Sequence, residues 1–260
     1  MHDYEEEYDD FEDLSKSEAP TPNLLTYKAL GTVGFMWNDS AYKKFWATAL
    51  DMTLYSQRFL CGPAEYIHVE HAPASYHELG RNHLVQHMRG DWLLSLDTDH
   101  TLAPDLLERL LIYADKYNCD VLSGIYASKH PPHTPVMGLW NPLGGVDLIT
   151  QWPQTPIFPV GVVGAGVLLV RRHVFQRIHD ELKERPFTIV PGLSEDYSFC
   201  LRCKRLGIPV YVAPLIQAHH LIVTALDVEG SYEPITGANI HHVGGALDGS
   251  RVAEPQNAAC

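Results

Sequence analysis

Trp92-Leu93-Leu94-Ser95-Leu96-Asp97-Thr98-Asp99-His100 is the stretch on which the reading of this chain turns. A compact apolar run of strand length, 92–96, meets two carboxylates separated by one residue. In an extended chain alternate residues point the same way, so Asp97 and Asp99 are expected to project together from the strand end with Thr98 turned away. Two carboxylates so close repel each other unless a cation lies between or beside them. Oxygen ligands of this kind suit Mg2+ or Mn2+. A surface turn that happens to hold two acids has the same three letters. The apolar strand before the pair, and the Pro104-started helix after it, favour the functional reading.

Outward from this segment, strands alternate with helices. On the N-terminal side, Leu30 to Met36 reads as a first strand, and Asp39 or Ser40 is placed to cap a helix with Tyr42, Phe45, Trp46, Ala49 and Leu50 at three-to-four spacing. Ala64 to Val69 reads as a strand and Ser75 to Met88 as a helix weakened by Gly80. On the other side come a helix with Leu107, Leu110, Leu111 and Ala114 on one face, a strand over Val121 to Tyr126, and a glycine-broken strand over Val160 to Val170. A helix with Val174, Phe175, Ile178 and Leu182, a helix capped by Ser194 and ending at Gly207, and a strand over Val210 to Ala213 complete the series. This order predicts an α/β fold with a mostly parallel, doubly wound sheet. Such sheets place their sites beyond the carboxyl ends of the strands.

Composition bounds the rest. The 260 residues, 45% hydrophobic, suffice for one domain with appendages. Lys plus Arg is 19 and Asp plus Glu is 32, a formal charge of −13. Nine of the acids and one base fall within residues 1–18, leaving 23 acids against 18 bases in the remainder. A body this mildly acidic is not held on duplex DNA by counterion release alone, although a local basic groove stays open. Residues 1–22 are expected to be an acidic disordered tail, 23–225 the main domain and 226–260 a C-terminal extension. Five scattered cysteines fit a reducing compartment rather than a disulfide scaffold. The acidic start does not read as a signal peptide. The uncharged stretch Leu148 to Val170 is long enough for a membrane span, but its prolines and glycines read as a loop feeding a buried strand. The expectation is a soluble protein of the cytoplasm, the host cytoplasm if the source is viral.

Three further segments carry chemistry. In Gly192-Leu193-Ser194-Glu195-Asp196-Tyr197, Glu195 and Asp196 are candidates for general base and acceptor holder. The competing reading is that acids in a first helical turn simply complement the macrodipole. In Pro214 to Leu221, a histidine can supply nitrogen to the same cation as the acids, although fifteen histidines make any one weak evidence. Gly164-Ala165-Gly166 either lets the backbone approach a substrate or packs tightly at a strand bend. It has neither the end of a P-loop nor the placement of a dinucleotide fingerprint. Cys200 and Cys203 lie in a helix without partners for a zinc site and read as packed thiols.

Taken in order, these segments resemble the glycosyltransferases of the GT-A fold, especially the family 2-like group with its short bacterial and phage enzymes. The resemblance runs from about Leu30 to Leu221. It rests on Arg81-Asn82-His83-Leu84-Val85, Asp97-Thr98-Asp99, Ser123-Gly124-Ile125-Tyr126, Gly164-Ala165-Gly166 with Arg171-Arg172-His173-Val174-Phe175, Glu195-Asp196-Tyr197 and His220-Leu221. It implies a nucleotide-sugar donor, a UDP-sugar by preference, and Mn2+ or Mg2+. Asp99 would ligate the metal, Asp97 the metal or the nucleotide ribose, and His220 the metal. Phe35, Met36, Trp37 and Asp39 would meet the nucleobase, with Thr98 and Gly164, Ala165 and Gly166 along the donor. Arg81 would neutralise donor phosphate or order the base pocket.

The resemblance implies a hexosyltransferase-like reaction on an acceptor hydroxyl, inverting, with Asp196 as base. A helix N-terminus and a nearby cation would lower the Asp196 pKa and weaken it as a base, which leaves room for a retaining mechanism. The chain lacks the Gln-x-x-Arg-Trp element and the membrane helices of polysaccharide synthases. The acceptor stays open among a modified DNA base, a saccharide, a protein or a lipid. Two rival readings are a metal-dependent nucleotidyltransferase, disfavoured by the missing early phosphate loop, and a sugar-nucleotide-binding protein without turnover.

Overall fold

A computed structural model describes residues 27–37, 42–73, 76–222, 224–226 and 232–234. The expected acidic tail lies outside the described residues, as do Asp39 and Ser40. The chain divides into two units, Met1–His220 and Leu221–Cys260. In the second, Thr224–Leu226 pairs antiparallel with Tyr232–Pro234.

The first unit opens with β1 (Lys28–Trp37), α1 (Lys43–Leu60), β2 (Glu65–Pro73) and α2 (His77–His87). Strand β3 (Trp92–Asp97), the short β4 (His100–Thr101), α3 (Leu106–Tyr117) and β5 (Val121–Ile125) follow. Next come β6 (Met137–Trp140), β7 (Val146–Leu148), β8 (Phe158–Val160) and β9 (Val162–Val163). The unit closes with β10 (Val167–Arg171), α4 (Arg172–Arg177) and its π-helical continuation Ile178–Leu182, α5 (Glu195–Arg205), β11 (Val210–Gln217) and β12 (His219–His220).

The main sheet has the order β2-β1-β3-β10-β5-β11-β8. Five of its strands run the same way; β10 is antiparallel to both β3 and β5, and β8 is antiparallel to β11. The sheet is therefore mixed, with a parallel majority. The expected single strand over 160–170 is three strands, β8, β9 and β10, with the glycines at the breaks. The reversal of β10 has a local cause. Val167 pairs with Leu96, so the chain enters β10 from Gly164-Ala165-Gly166 at the carboxyl end of β3 and has to run back along it. That places the small residues at the end of β3 where the acids lie.

Burial follows the sequence pattern. Residues 92–96, 121–125 and 167–170 are buried throughout, as strands covered on both faces require. Helix α3 buries Leu106, Leu107, Leu110 and Ala114, so Leu106 takes the place expected for Leu111. Helix α1 begins after Tyr42 with no side-chain cap, and buries Phe45, Ala49, Met52 and Ser56. Gly80 in α2 marks a close approach: a Cβ there would stand 2.5 Å from Met36 Cε of β1. This contact brings Arg81, the next residue, against the end of the sheet. Among the described residues no helix is long and apolar enough to cross a membrane.

Candidate functional site

The two acids do not share partners. Strand β3 ends at Asp97, and residues 98 and 99 form a turn. Thr98 is buried and its hydroxyl donates to the Met36 carbonyl at 3.2 Å. The period-two alternation stops where the strand stops, so Asp97 and Asp99 acquire different neighbours. Asp97 Oδ1 accepts from Arg81 Nη2 at 2.8 Å, and its backbone N–H donates to the Gly166 carbonyl at 3.1 Å.

Asp99 faces two imidazoles and an ammonium. Its Oδ1 lies 3.1 Å from His100 Nδ1 and 3.4 Å from His220 Nε2, and Oδ2 pairs with Lys129 Nζ. The imidazole contacts are within reach but off the line of a hydrogen bond. Asp99 Oδ1 and both ring nitrogens of His100 are thus buried with no hydrogen-bond partner among the described residues. His100 is fully buried, stacked on His220 with ring centroids 4.2 Å apart, and edge-on to Tyr126 at 4.6 Å. Strand β4 pairs antiparallel with β12, setting His100 opposite His220. His220 Nδ1 lies 2.7 Å from the Ala127 carbonyl, which can only accept, so Nδ1 carries a proton. In neutral His220 the lone pair at Nε2 then faces the Asp99 carboxylate. Burial pushes the Asp99 carboxyl up, but His100, His220 and Lys129 outweigh it and hold the group well below the usual carboxylate range.

This is a donor set that fits a cation. One carboxylate oxygen and two imidazole nitrogens lie within 4.8 Å of one another, and the Asp99 oxygen and the His100 nitrogens have no hydrogen-bond partner among the described residues. The carbonyl bound at the far ring nitrogen of His220 is the support that metal-ligating histidines usually have. Sequence reasoning named Asp99 and His220 but missed His100. The signal was present: a turn at 98–99 reorients the residue that follows Asp99.

Arg81 lies at the back of the site, 2% exposed. Nε donates to Glu195 Oε1 at 3.1 Å, Nη1 to Ser95 Oγ at 2.7 Å and to the Ala165 carbonyl at 3.0 Å, and Nη2 to Asp97. Burial alone would lower its pKa; Asp97, Glu195 and Asp196 more than reverse that and raise it. Four of its five N–H donors are taken by protein groups, which ties α2, β3, the small-residue segment and α5 together. Its guanidinium is turned to carboxylates rather than to open space.

Glu195 and Asp196 start α5, as expected. Glu195 is buried on Arg81. Asp196 Oδ1 accepts from the Ser194 hydroxyl and from the Tyr197 N–H, the latter at 2.8 Å. Ser194 therefore holds Asp196 instead of capping the helix with its side chain. The protein groups around Asp196 raise its pKa rather than lower it. Burial and the neighbouring Glu195 push it up, against smaller opposing effects of Ser194, Arg81 and Tyr197.

Gly164, Ala165 and Gly166 are buried, and protein fills the room that their lack of side chains leaves. A Cβ at Gly164 would stand 2.1 Å from the Tyr126 hydroxyl; at Gly166 it would meet His100 Cε1 at 2.9 Å and Asp97 Oδ2 at 3.0 Å. Gly166 N–H also donates to the Tyr126 hydroxyl at 2.9 Å. The packing alternative is the one that this geometry matches. Phe35 and Met36, expected at the nucleobase, point into the core, where Phe35 packs edge-on against Phe45 and Trp46, and Met36 packs beside Gly80. Strand β1 alternates between two covered faces here, so neither side chain reaches an opening. The side chain of Trp37, and all of Asp39, lie outside the described residues.

Residues 64–159 match the family model of glycosyl transferase family 2. The chain is also similar in fold to a solved structure. GalNAc-T7, crystallised with UDP, GalNAc and Mn2+, has a TM-score of 0.51 at 11% identity over 75% of this chain. The fold is GT-A. This GT-A chain spans 43% of GalNAc-T7. A197 from STIV has a TM-score of 0.49 at 16% identity, with 79% of this chain and 94% of that chain covered. No curated protein matches the sequence. The matched family 2 span holds Arg81, Asp97, Asp99, His100 and Lys129. Glu195, Asp196 and His220 come from beyond it and join the site through α5 and β12.

Proposed function

We infer that the protein transfers a sugar from a nucleotide-sugar donor, a UDP-sugar by preference, to an acceptor hydroxyl, with a divalent cation of the Mn2+ type held by Asp99, His100 and His220. The observation that carries this reading is the approach of Asp99 Oδ1 to two imidazoles at the end of β3, with Asp99 Oδ1 and the His100 ring nitrogens buried and without hydrogen bonds among the described residues. Two nitrogens and one oxygen favour a transition ion over Mg2+, which prefers an all-oxygen shell. When bound, the cation supplies Lewis-acid stabilisation of the charge that builds on the departing diphosphate.

The other residues take their roles from their neighbours. Asp97, held by Arg81, is a fixed acceptor for a donor hydroxyl, such as one on a ribose. Asp196 takes the proton of the attacking hydroxyl. Both of its short-range hydrogen bonds fall on Oδ1, so Oδ2 is the oxygen assigned to that proton. Its raised pKa makes it a better base than a free aspartate, which favours an inverting attack. Loss of Mn2+-stimulated release of UDP from a UDP-sugar in Asp99→Ala, with the fold retained by circular dichroism, is the expected result. A fully active Asp99→Ala protein overturns the reading, and pyrophosphate as product points to nucleotidyl transfer instead.

A further inference from the structure

We propose that Lys129 is the diphosphate-binding cation of this site, paired with Asp99 while no donor is bound and turned to the donor's diphosphate when one arrives. The proposal rests on the transfer reading above and adds a residue that the sequence did not single out. Asp99 is shared: Oδ1 faces the two imidazoles and Oδ2 carries the Lys129 ammonium. The metal seat and the lysine thus draw on one carboxylate. A divalent ion on Oδ1 weakens the attraction that holds Lys129 on Oδ2, since like charges repel across a few ångströms.

Lys129 is also free to leave. Its side chain is 41% exposed, whereas Asp99 is 15% exposed. It sits in a loop rooted at the carboxyl end of β5. An Ala127–Pro135 bridge closes the loop, and Ser128 N–H donates to Thr134 at 2.8 Å. The Ala127 carbonyl of the same loop fixes the His220 proton, so the base of the loop is tied to the metal seat while the lysine reaches over it. The charges agree with an anionic ligand. Arg81 offsets only part of the charge of Asp97 and Glu195 behind the site, but beside the metal seat a divalent ion and Lys129 stand against Asp99 alone, a local excess of positive charge. A diphosphate is the part of a nucleotide-sugar donor that matches this excess.

The test compares the wild-type chain with Lys129→Met by isothermal titration, using Mn2+ alone and then UDP at saturating Mn2+. Removing the lysine should tighten Mn2+ binding by roughly threefold, a small gain because the pair is half in water. It should weaken UDP binding by roughly ten- to a hundredfold, the scale of one charged hydrogen bond. Lys129→Arg should keep most of the UDP affinity. Unchanged UDP affinity in Lys129→Met overturns the proposal, as does Mn2+ binding that weakens in that variant. Failure of the metal reading is seen separately: the wild-type chain would then bind no Mn2+, while a loss of UDP affinity in Lys129→Met would still support the lysine's role.

Discussion

Replacement of Arg81 by methionine should cost the fold far more than an ordinary substitution. The side chain is 2% exposed and makes four hydrogen bonds, two of them to the carboxylates of Asp97 and Glu195. Methionine fills a similar volume but leaves Glu195, whose side chain is 10% exposed, with only the exposed His77 imidazole, 3.7 Å away, as a basic neighbour. Asp97, at 31%, is partly screened by water and contributes less. Breaking a buried pair from one side costs about 3–5 kcal/mol. For a domain of this size that corresponds to a Tm lower by about 6–20 °C. Urea unfolding followed by tryptophan fluorescence measures the difference directly. The triple variant Arg81→Met, Asp97→Asn, Glu195→Gln should regain at least half of the loss, because the orphaned charges are gone. Arg81→Lys should fall between, since one ammonium cannot span four acceptors that a planar fork reaches. A loss below about 1 kcal/mol in Arg81→Met, or a triple variant no more stable than the single one, would refute the assignment of Arg81 as the tie between these elements.

Other outcomes follow from the same geometry. His100→Phe keeps the ring contacts with Tyr126 and His220 and removes two unpaired buried nitrogens, so metal-free stability should change by less than about 1 kcal/mol. Mn2+ affinity should nevertheless drop at least tenfold in calorimetry; undiminished affinity excludes His100 as a ligand. Asp196→Asn should lower kcat by roughly two to four powers of ten at nearly unchanged donor affinity, the scale of a lost general base. Because the Asp196 pKa is raised and the base works ionised, wild-type kcat should fall on the acid side through a pH above the ordinary aspartate value of about 3.9, a limb that Asn removes. A wild-type profile flat down to that value contradicts the role. Gly166→Ala forces small shifts of His100, Asp97 and Tyr126 and should cost about 1–3 kcal/mol with weaker Mn2+ binding; Gly164→Ala, meeting the Tyr126 hydroxyl far closer, should cost more. The reverse order would show that Tyr126 is not held in place.

Much of the architecture was legible in the residues because it depends on local rules. Apolar runs with flanking turn residues give β3, β5 and β10, and three-to-four spacing gives α3 and α5; these properties survive without knowledge of distant partners. Glu195 and Asp196 at the start of α5 were visible for the same reason. The reversed direction of β10 was not, since a strand's periodicity is the same whichever way it runs, and only its pairing with Leu93 to Leu96 decides the sense. Phe35 and Met36 were misplaced because an apolar residue at a strand end looks the same whether it faces a ligand or a helix.

What the sequence by itself determined is that an α/β chain ends a buried strand in acids, with a late histidine and a Glu-Asp pair available to join them. Tertiary structure alone decided which of these meet. Asp97 went to Arg81 from α2, while Asp99 went to His100 and to His220 from β12. The reason is physical. Alternation holds only while the backbone is extended; once it turns at Thr98, a side chain's direction is set by the elements packed around it, and those lie from 16 to more than 100 residues away in the chain.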